Sequence, residues 1–192
     1  MEPEAEDQHD DSPFQLLDRL FSFLNTEEKP LNPVLSGYFS KLVTLLLTRR
    51  QKQLVPYIFN TENDSKLVDL LLFHVYQKSL SEFLNKLLAL STGDFEEEQA
   101  EIISKKQKEI YEKLIEKLGS DEVEDQLNAI TLLSENLENK EYFTILARRE
   151  NLASLFQIAF KHPSDEGRKS GLNVIIALLN VFIEKHRGSN ND

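Results

Sequence analysis

Residues 16–50, LLDRLFSFLNTEEKPLNPVLSGYFSKLVTLLLTRR, decide the fold of this chain. They join a short apolar segment, a turn and a long apolar segment, and both segments have the residue spacing of an α-helix. The longer helix is apolar on nearly every side, so neighbouring helices must cover it. The stretch holds no combination of side chains suited to catalysis. It therefore predicts a scaffold of stacked helices.

The charge distribution limits the classes of partner. The chain of 192 residues has a net charge of −11, and its first eleven residues contain six acidic and no basic side chains, which leaves −5 for the rest. Nucleic acid and anionic lipid both need a surplus of Lys and Arg, so neither is an expected partner. The polar, acidic segment 1–12 is predicted to be a disordered tail.

Composition also excludes several kinds of chemistry. The chain has no Cys, which removes disulfides, thiolate zinc sites and thiol catalysis. The acidic N-terminus does not resemble a secretory or mitochondrial signal, and no apolar run is long enough for a membrane span. A soluble cytoplasmic protein is expected, with the nucleus as the alternative compartment.

The rest of the sequence predicts helices throughout and no strands. We expect ten helices, over residues 14–24, 33–48, 51–59, 65–75, 79–90, 95–118, 120–137, 141–147, 151–161 and 166–186. Asn32 is the expected N-cap of the second helix, with Pro33 at its first position. In the third helix, Pro56 predicts a kink or break near Val55, because proline removes a backbone donor.

Three further helix starts are assigned from capping patterns. Asp64 is the expected N-cap of the fourth helix. Ser79 with Glu82, and Asp94 with Glu97, have the spacing of capping boxes for the fifth and sixth helices.

A repeat links these helices. LLDRLFSFL at residue 16, LVDLLLFHV at residue 67 and LASLFQIAF at residue 152 are similar short helices, and each precedes a longer apolar one. Their spacing fits the roughly 40–47-residue period of HEAT and armadillo arrays, with about four units. The predicted fold is all-α, an α-α superhelix of armadillo/HEAT-like repeats. The domain is expected to span residues 13–187, with a frayed end at 188–192.

The last predicted helix is unusually apolar. Residues 174–183 read VIIALLNVFI, whereas the outer face of a terminal repeat is normally polar. We therefore expect either further repeats beyond this chain or an oligomeric or partner contact at this end.

The sequence contains no catalytic or metal-binding pattern. None of the four histidines has a second His four residues away or forms a His-x-Glu pattern, and phosphate-binding loops and nucleophile motifs are missing. The protein is expected not to be an enzyme and to need no metal or cofactor.

Two basic clusters remain as candidate contacts, and each has two interpretations. Their side chains either complement helix C-termini or bind carboxylates of a partner, for which arginine is well suited. The candidate protein-binding residues are Arg49, Arg50, Lys52, Arg148 and Arg149.

The opening stretch resembles the SAPS domain of phosphatase-associated proteins. The similarity lies in a leucine-rich helix ending in Phe-Leu, then PLNP, a segment like FFSK and the later stretch KLVDLLLFHVYQKSLSEFLNKLLAL; it is weaker over residues 108–186. Where the family pattern has Gly-Thr, this chain has Tyr-Gln-Lys at 76–78, so an altered turn is expected. The motif residues, for which structural roles are expected, are Leu31, Asn32, Pro33, Tyr38, Phe39, Ser40, Lys41 and His74. Asn32 and Pro33 are expected to fix the helix start, and Tyr38 and Phe39 to pack in the core.

The resemblance implies a function. SAPS proteins are scaffolding regulatory subunits of protein phosphatase 6-type serine/threonine phosphatases, so the expected partner is a catalytic subunit whose substrate choice this chain directs. The family's domain is several times longer, which suggests that this chain is part of a longer domain. The alternative is a generic armadillo-like adaptor without a phosphatase partner, and the sequence leaves the oligomeric state open.

Overall fold

The computed structural model describes residues 14–26, 30–59 and 66–188, with side chains as far as residue 183. These residues form ten α-helices, a 3₁₀ turn at Ser22–Leu24 and no strands, which confirms the all-α prediction. The tail prediction for residues 1–12, the Asp64 cap and most of the predicted frayed end lie outside the described residues. The helices are α1 Gln15–Phe21, α2 Pro33–Arg49, α3 Gln51–Ile58, α4 Lys66–Phe73, α5 Lys78–Leu88, α6 Glu97–Lys117, α7 Val123–Glu135, α8 Lys140–Leu146, α9 Arg149–Lys161 and α10 Asp165–Gly188.

The helices are arranged as a repeat array. In one row α2 packs on α5, α5 on α7 and α7 on α10, while in a second row α4 packs on α6 and α6 on α8. The two rows are joined by the pairs α4–α5, α6–α7 and α9–α10. Each pair thus covers the apolar side of its neighbour, as the repeat pattern predicts.

One continuous apolar core runs between the rows. It extends from Phe21 and Leu24 at one end, through Phe83 and Leu114, to Val174 at the other. All five side chains are at most 1% exposed. Burial of each large apolar side chain contributes about 1.5–3 kcal/mol, so the stacking of the helix pairs supplies most of the stabilising free energy.

The start of α2 agrees with the sequence. The Asn32 side chain accepts hydrogen bonds from the backbone N–H groups of Val34 and Leu35, at 3.0 and 3.1 Å. Pro33 occupies the first helical position, where its missing N–H leaves no carbonyl without a partner. The predicted cap is therefore confirmed.

Of the predicted kink or break near Val55, the break is wrong. Helix α3 continues through Pro56 to Ile58, and the Phe59 N–H still donates to the Val55 carbonyl at 2.9 Å. In a helix of eight residues this late proline removes only one intrahelical hydrogen bond. The buried neighbours of Pro56 hold the segment against the core, which compensates for that loss.

Neither predicted capping box forms. Ser79 lies inside α5, whose N-cap is Gln77, and Asp94 lies two residues before Glu96, the N-cap of α6. No side chain caps either helix. The Gln77 side chain is used elsewhere, because it donates to the Leu31 carbonyl at 2.8 Å. The Gln77 side chain thus contacts a distant segment and does not cap α5.

The close approach of α9 and α10 depends on one glycine. A Cβ at Gly171 of α10 would lie only 2.9 Å from the backbone N and Cα of Ala159 in α9. No other residue type fits there without moving a helix. Gly171 thus sets the distance between the last two helices.

Candidate interaction surface

The first candidate surface is an open apolar groove between α1 and the α2–α3 corner. Its volume is about 550 Å³. The groove is lined mainly by leucines, with an arginine at its rim. Its lining includes Leu16, Leu20, Leu42, Leu46 and Arg50. Leu16 is 83% exposed, so the groove is open to a partner.

A stripe of exposed apolar side chains on α2 borders this groove. We call it the α2 stripe, and it consists of Leu35, Tyr38, Leu42 and Leu45, which are between 45% and 65% exposed. Their spacing of three, four and three residues places them on one side of the helix. Next to the stripe, the remaining outer surface of α2 has the polar residues Lys41, Thr44 and Thr48. The outer surface of α2 is therefore half apolar and half polar.

Tyr38 differs from its prediction. It is 65% exposed and belongs to the α2 stripe, so the expectation that it packs in the core is wrong. Phe39, by contrast, is 4% exposed and packs edge-to-face on Phe21, with ring centroids 5.5 Å apart. The sequence of an apolar helix indicates that other helices pack on it, but it does not indicate which side of the helix they cover.

The first basic cluster lies where the α2 stripe ends. Arg49 is the last residue of α2, Arg50 is its C-cap and Lys52 is in the first turn of α3. All three are exposed, and in the part of the chain that the structure describes none forms an ion pair. They surround a shallow cavity of about 370 Å³ with Asp94 on its wall. The position of Arg49 also suits a helix C-terminus, so both interpretations remain.

The second basic cluster is less available. Arg148 is the N-cap of α9, and its guanidinium lies 3.8 Å from a carboxylate oxygen of Glu112 in α6. Arg149 is the first residue of α9 and is exposed. Because this is the positive end of a helix dipole, Arg149 does not complement α9. The cavity beside Arg49, Arg50 and Lys52 has neither Arg148 nor Arg149 in its lining.

The sequence predicts a structural role for His74 but not the contacts that the side chain makes. His74 is fully buried, with Nε2 3.1 Å from the Leu24 carbonyl and Nδ1 3.2 Å from the Tyr76 hydroxyl. Because a carbonyl only accepts, Nε2 donates its proton to Leu24 and Nδ1 accepts from Tyr76. The Tyr76 oxygen also accepts from the Leu31 N–H at 2.9 Å. Together with Gln77, which bonds the Leu31 carbonyl, these contacts fix the PLNP segment against the turn before α5.

The remaining motif residues also have structural positions. The Ser40 hydroxyl donates to the Ser79 carbonyl at 2.6 Å, which joins α2 to α5. Leu31 is buried, whereas Lys41 is exposed on the polar side of α2. Apart from Asn32 and Pro33 at the helix start, the exposed members of this motif are Tyr38 and Lys41.

Buried tyrosines hold neighbouring helices together. Tyr57 donates to Asp18 at 2.7 Å, and burial, followed by that hydrogen bond, raises the pKa of Tyr57. Tyr111 stacks on Tyr142 with centroids 4.4 Å apart. Burial, with a smaller contribution from Glu141, raises the pKa of Tyr142 to about 12. A raised pKa keeps each phenol protonated at neutral pH.

The described residues contain no group of three or more His, Asp or Glu side chains that could hold a metal ion. Within the same residues, no helix has the length and apolar character needed to cross a membrane.

Comparison with known proteins gives the family. A sequence model of the SAPS family, described as SIT4 phosphatase-associated protein, matches residues 43–190, from the middle of α2 onward. Serine/threonine-protein phosphatase 6 regulatory subunit 1 of Homo sapiens is 26% identical over 181 residues, covering 85% of this chain and 20% of that protein. Regulatory subunit 3 of Gallus gallus is 36% identical over 73 residues, covering 38% of this chain and 8% of that protein.

The chain thus spans at most about a fifth of the length of these relatives. No solved structure matches it. The family match covers more than three quarters of the chain and nine of its ten helices at least in part. The chain belongs to the SAPS family of SIT4 phosphatase-associated proteins.

Proposed function

We propose that this chain acts as a non-catalytic regulatory scaffold that binds the catalytic subunit of a protein phosphatase 6-type serine/threonine phosphatase and directs its substrate choice. The observation that carries the proposal is the family match over residues 43–190, together with relatives that are named phosphatase 6 regulatory subunits. The mechanism is positional: the helical array holds the catalytic subunit and contributes no reacting group.

The α2 stripe and the first basic cluster form the proposed contact. Exposed leucines and a tyrosine offer apolar surface for burial, and Arg49 and Arg50 follow directly at the end of the same helix. Apolar anchors beside arginine are typical of the energetic centre of a protein interface. Since Arg49, Arg50 and Lys52 have no ion-pair partner among the described residues, they are available for carboxylates on the phosphatase.

The second basic cluster is a secondary contact in this proposal. A partner that binds Arg148 must compete with Glu112, which is within 3.8 Å of it. Both of these side chains are substantially exposed, so the competition is weak. Arg149 is free of that competition and extends the proposed basic surface.

A binding experiment with purified proteins tests the proposal. The chain is immobilised and titrated with a recombinant protein phosphatase 6-type catalytic subunit, using biolayer interferometry. The double variant Arg49→Glu, Arg50→Glu should weaken binding at least tenfold, because each reversal replaces an attraction by a repulsion. The matched control reverses Lys86 and Lys105, which are exposed, have no ion pair among the described residues and lie outside the groove.

The control variant should bind like the unmodified chain. Absence of binding by the unmodified chain, under conditions in which a full-length relative binds, would overturn the proposed function. Equal binding by the Arg49, Arg50 variant and the control would leave the phosphatase partner standing but remove the proposed contact. Binding that weakens with salt is expected, because the contact is partly electrostatic.

A further inference from the structure

The opposite end of the array presents a second apolar surface, which the proposed function does not use. We call it the α9–α10 face, and its exposed members include Phe156, Phe160, Leu172, Ile176, Leu179 and Ile183. Phe160 is 63% exposed and Leu179 is 54% exposed. Residues 171–183 of α10 contain no charged side chain. A large apolar surface without charge is rare on a protein that functions as a monomer.

The side chains of α10 divide between two sides of the helix. Val174 is fully buried and Ile175 is 9% exposed, because this side packs on α7 and α9. The outer side carries Leu172, Ile176 and Leu179, followed by Ile183. The array therefore covers the inner side of α10 and leaves the outer side open.

The spacing of the outer residues fits a second helix. Leu172, Ile176, Leu179 and Ile183 are separated by four, three and four residues, which is the alternation of a coiled-coil seam. Side chains at this spacing pack into the spaces between those of a partner helix that crosses at about 20°. Beside the seam, an apolar cavity of about 280 Å³ between α8, α9 and α10 can receive partner side chains.

The spacing of the seam residues is symmetric, because it is the same from Leu172 to Ile183 as from Ile183 to Leu172. An antiparallel second copy would place Leu172 against Ile183 and Ile176 against Leu179, with a twofold axis near Ala177. Such a self-complementary patch is what a symmetric dimer requires. No charged side chain from residues 171–183 would be buried in it.

The exposed area is large enough for such a pair. The six members of the face expose on the order of 550 Å² per copy, judged from their exposed fractions and the usual size of these side chains. If a twofold pair covered this area completely, these residues would remove about 1,100 Å² from solvent. That exceeds the roughly 1,000 Å² that separates specific interfaces from incidental contacts.

A head-to-tail contact fits less well. It would place the α2 stripe of one copy on the α9–α10 face of another. The arginines at the end of the stripe would then meet an apolar surface without a carboxylate, which is costly when charges are buried. The symmetric contact has no such cost.

We propose that two copies of this chain associate through their α9–α10 faces, with the α10 helices antiparallel about a twofold axis. This pairing is independent of phosphatase binding at the other end of the array. Each copy has a net charge of −11, so the copies repel at low salt. Added salt should therefore strengthen the dimer, whereas it should weaken the arginine-dependent phosphatase contact.

Sedimentation equilibrium of the intact chain tests the proposal. The mass should rise with concentration from 22.2 kDa towards twice that value, and no further. The variant Leu179→Glu should raise the dimer dissociation constant at least tenfold, because it places two carboxylates in an apolar contact. The control Leu45→Glu makes the same change in the α2 stripe, at a residue that is 49% exposed, and should leave the dimer intact.

Cross-linking tests the orientation. The chain has no Cys, so a single introduced cysteine is unambiguous. A mixture of Ile176→Cys and Leu179→Cys chains should form a heterodimeric disulfide in preference to either homodimer, because the antiparallel pair brings these two positions together. Circular dichroism checks that both variants keep their helices.

Three results would overturn the proposal. One is a monomer mass at every concentration and salt level, and another is equal weakening by Leu179→Glu and Leu45→Glu. The third is growth beyond a dimer, which would indicate an open head-to-tail contact instead of a closed twofold pair.

Discussion

Removal of the Tyr76 hydroxyl tests the physical account of the PLNP segment. In Tyr76→Phe the ring remains, but the Leu31 N–H loses an acceptor at 2.9 Å and His74 Nδ1 loses a donor at 3.2 Å. The His74 ring is fully buried, so its nitrogen has no access to water as a replacement. Both groups then lose this hydrogen bond in the folded state.

The expected loss follows from these two contacts. Each hydrogen bond contributes about 0.5–1.5 kcal/mol net, so the loss of both in Tyr76→Phe should cost about 2 kcal/mol. In a chain of this size that lowers the Tm by about 4–8 °C. Urea unfolding followed by circular dichroism gives the free energy directly.

Tyr38→Phe is the matched control for this experiment. It makes the same chemical change at a tyrosine that is 65% exposed, where water replaces the hydroxyl contacts. Its free energy of unfolding should stay within about 0.5 kcal/mol of the unmodified chain. If Tyr76→Phe and Tyr38→Phe unfold at the same urea concentration, the proposed role of His74 and Tyr76 in fixing the PLNP segment is wrong.

Three further predictions concern other parts of the array. Gly171→Val should destabilise the chain by about 2 kcal/mol or more, because a Cβ there lies 2.9 Å from the Ala159 backbone; an unchanged urea midpoint would contradict the close α9–α10 packing. Asn32→Ala should cost about 1 kcal/mol by removing both cap hydrogen bonds, and Asn32→Asp, which keeps the acceptor, should recover most of it. The Tyr142 phenol should titrate at about 12 in the folded chain by absorbance at 295 nm. Because the unfolded phenol titrates near 10, stability should fall as the pH rises above about 10, and a flat profile between 9 and 12 would refute this.

Local chemistry made part of this fold predictable. Asn32 caps α2 because its side chain reaches N–H groups two and three residues away, a contact that the sequence alone determines. The helical periodicity and the repeat of short and long apolar helices likewise predicted the order and stacking of the ten described helices. These features depend on residues that are close in the chain or on a pattern that recurs.

The errors arose where a distant residue competes with a near one. Gln77 became the N-cap of α5 in place of Ser79, and its side chain binds Leu31, which is 46 residues away. Arg148 lies beside Glu112 of α6, and the sequence around Arg148 does not indicate this contact. Such contacts depend on how the helix pairs stack, and this stacking geometry cannot be inferred from a single sequence.

The exposed surfaces were only partly predictable. The apolar run at 174–183 indicated either further repeats or a contact at the end of the array, and the structure leaves much of its outer side exposed. The exposure of Tyr38 and the α2 stripe was not foreseen, because α2 is apolar on nearly every side. The structure was needed to show that α5 covers only one side of α2.

The two apolar surfaces are expected to behave differently in solution. The α2 stripe ends at Arg49 and Arg50, so a contact there should weaken as salt screens the charges. The α9–α10 face has no charged side chain over residues 171–183, and salt should strengthen its self-association. A salt titration of both binding reactions therefore separates the proposed function from the proposed dimer.

Titration of the intact chain with a purified protein phosphatase 6-type catalytic subunit is the most direct test of the central claim. The account predicts saturable binding with one catalytic subunit per chain, weakened at least tenfold by Arg49→Glu, Arg50→Glu and unchanged by the control at Lys86 and Lys105. Isothermal calorimetry measures affinity and stoichiometry together. No detectable heat or complex at concentrations where a full-length SAPS relative is saturated would contradict the account.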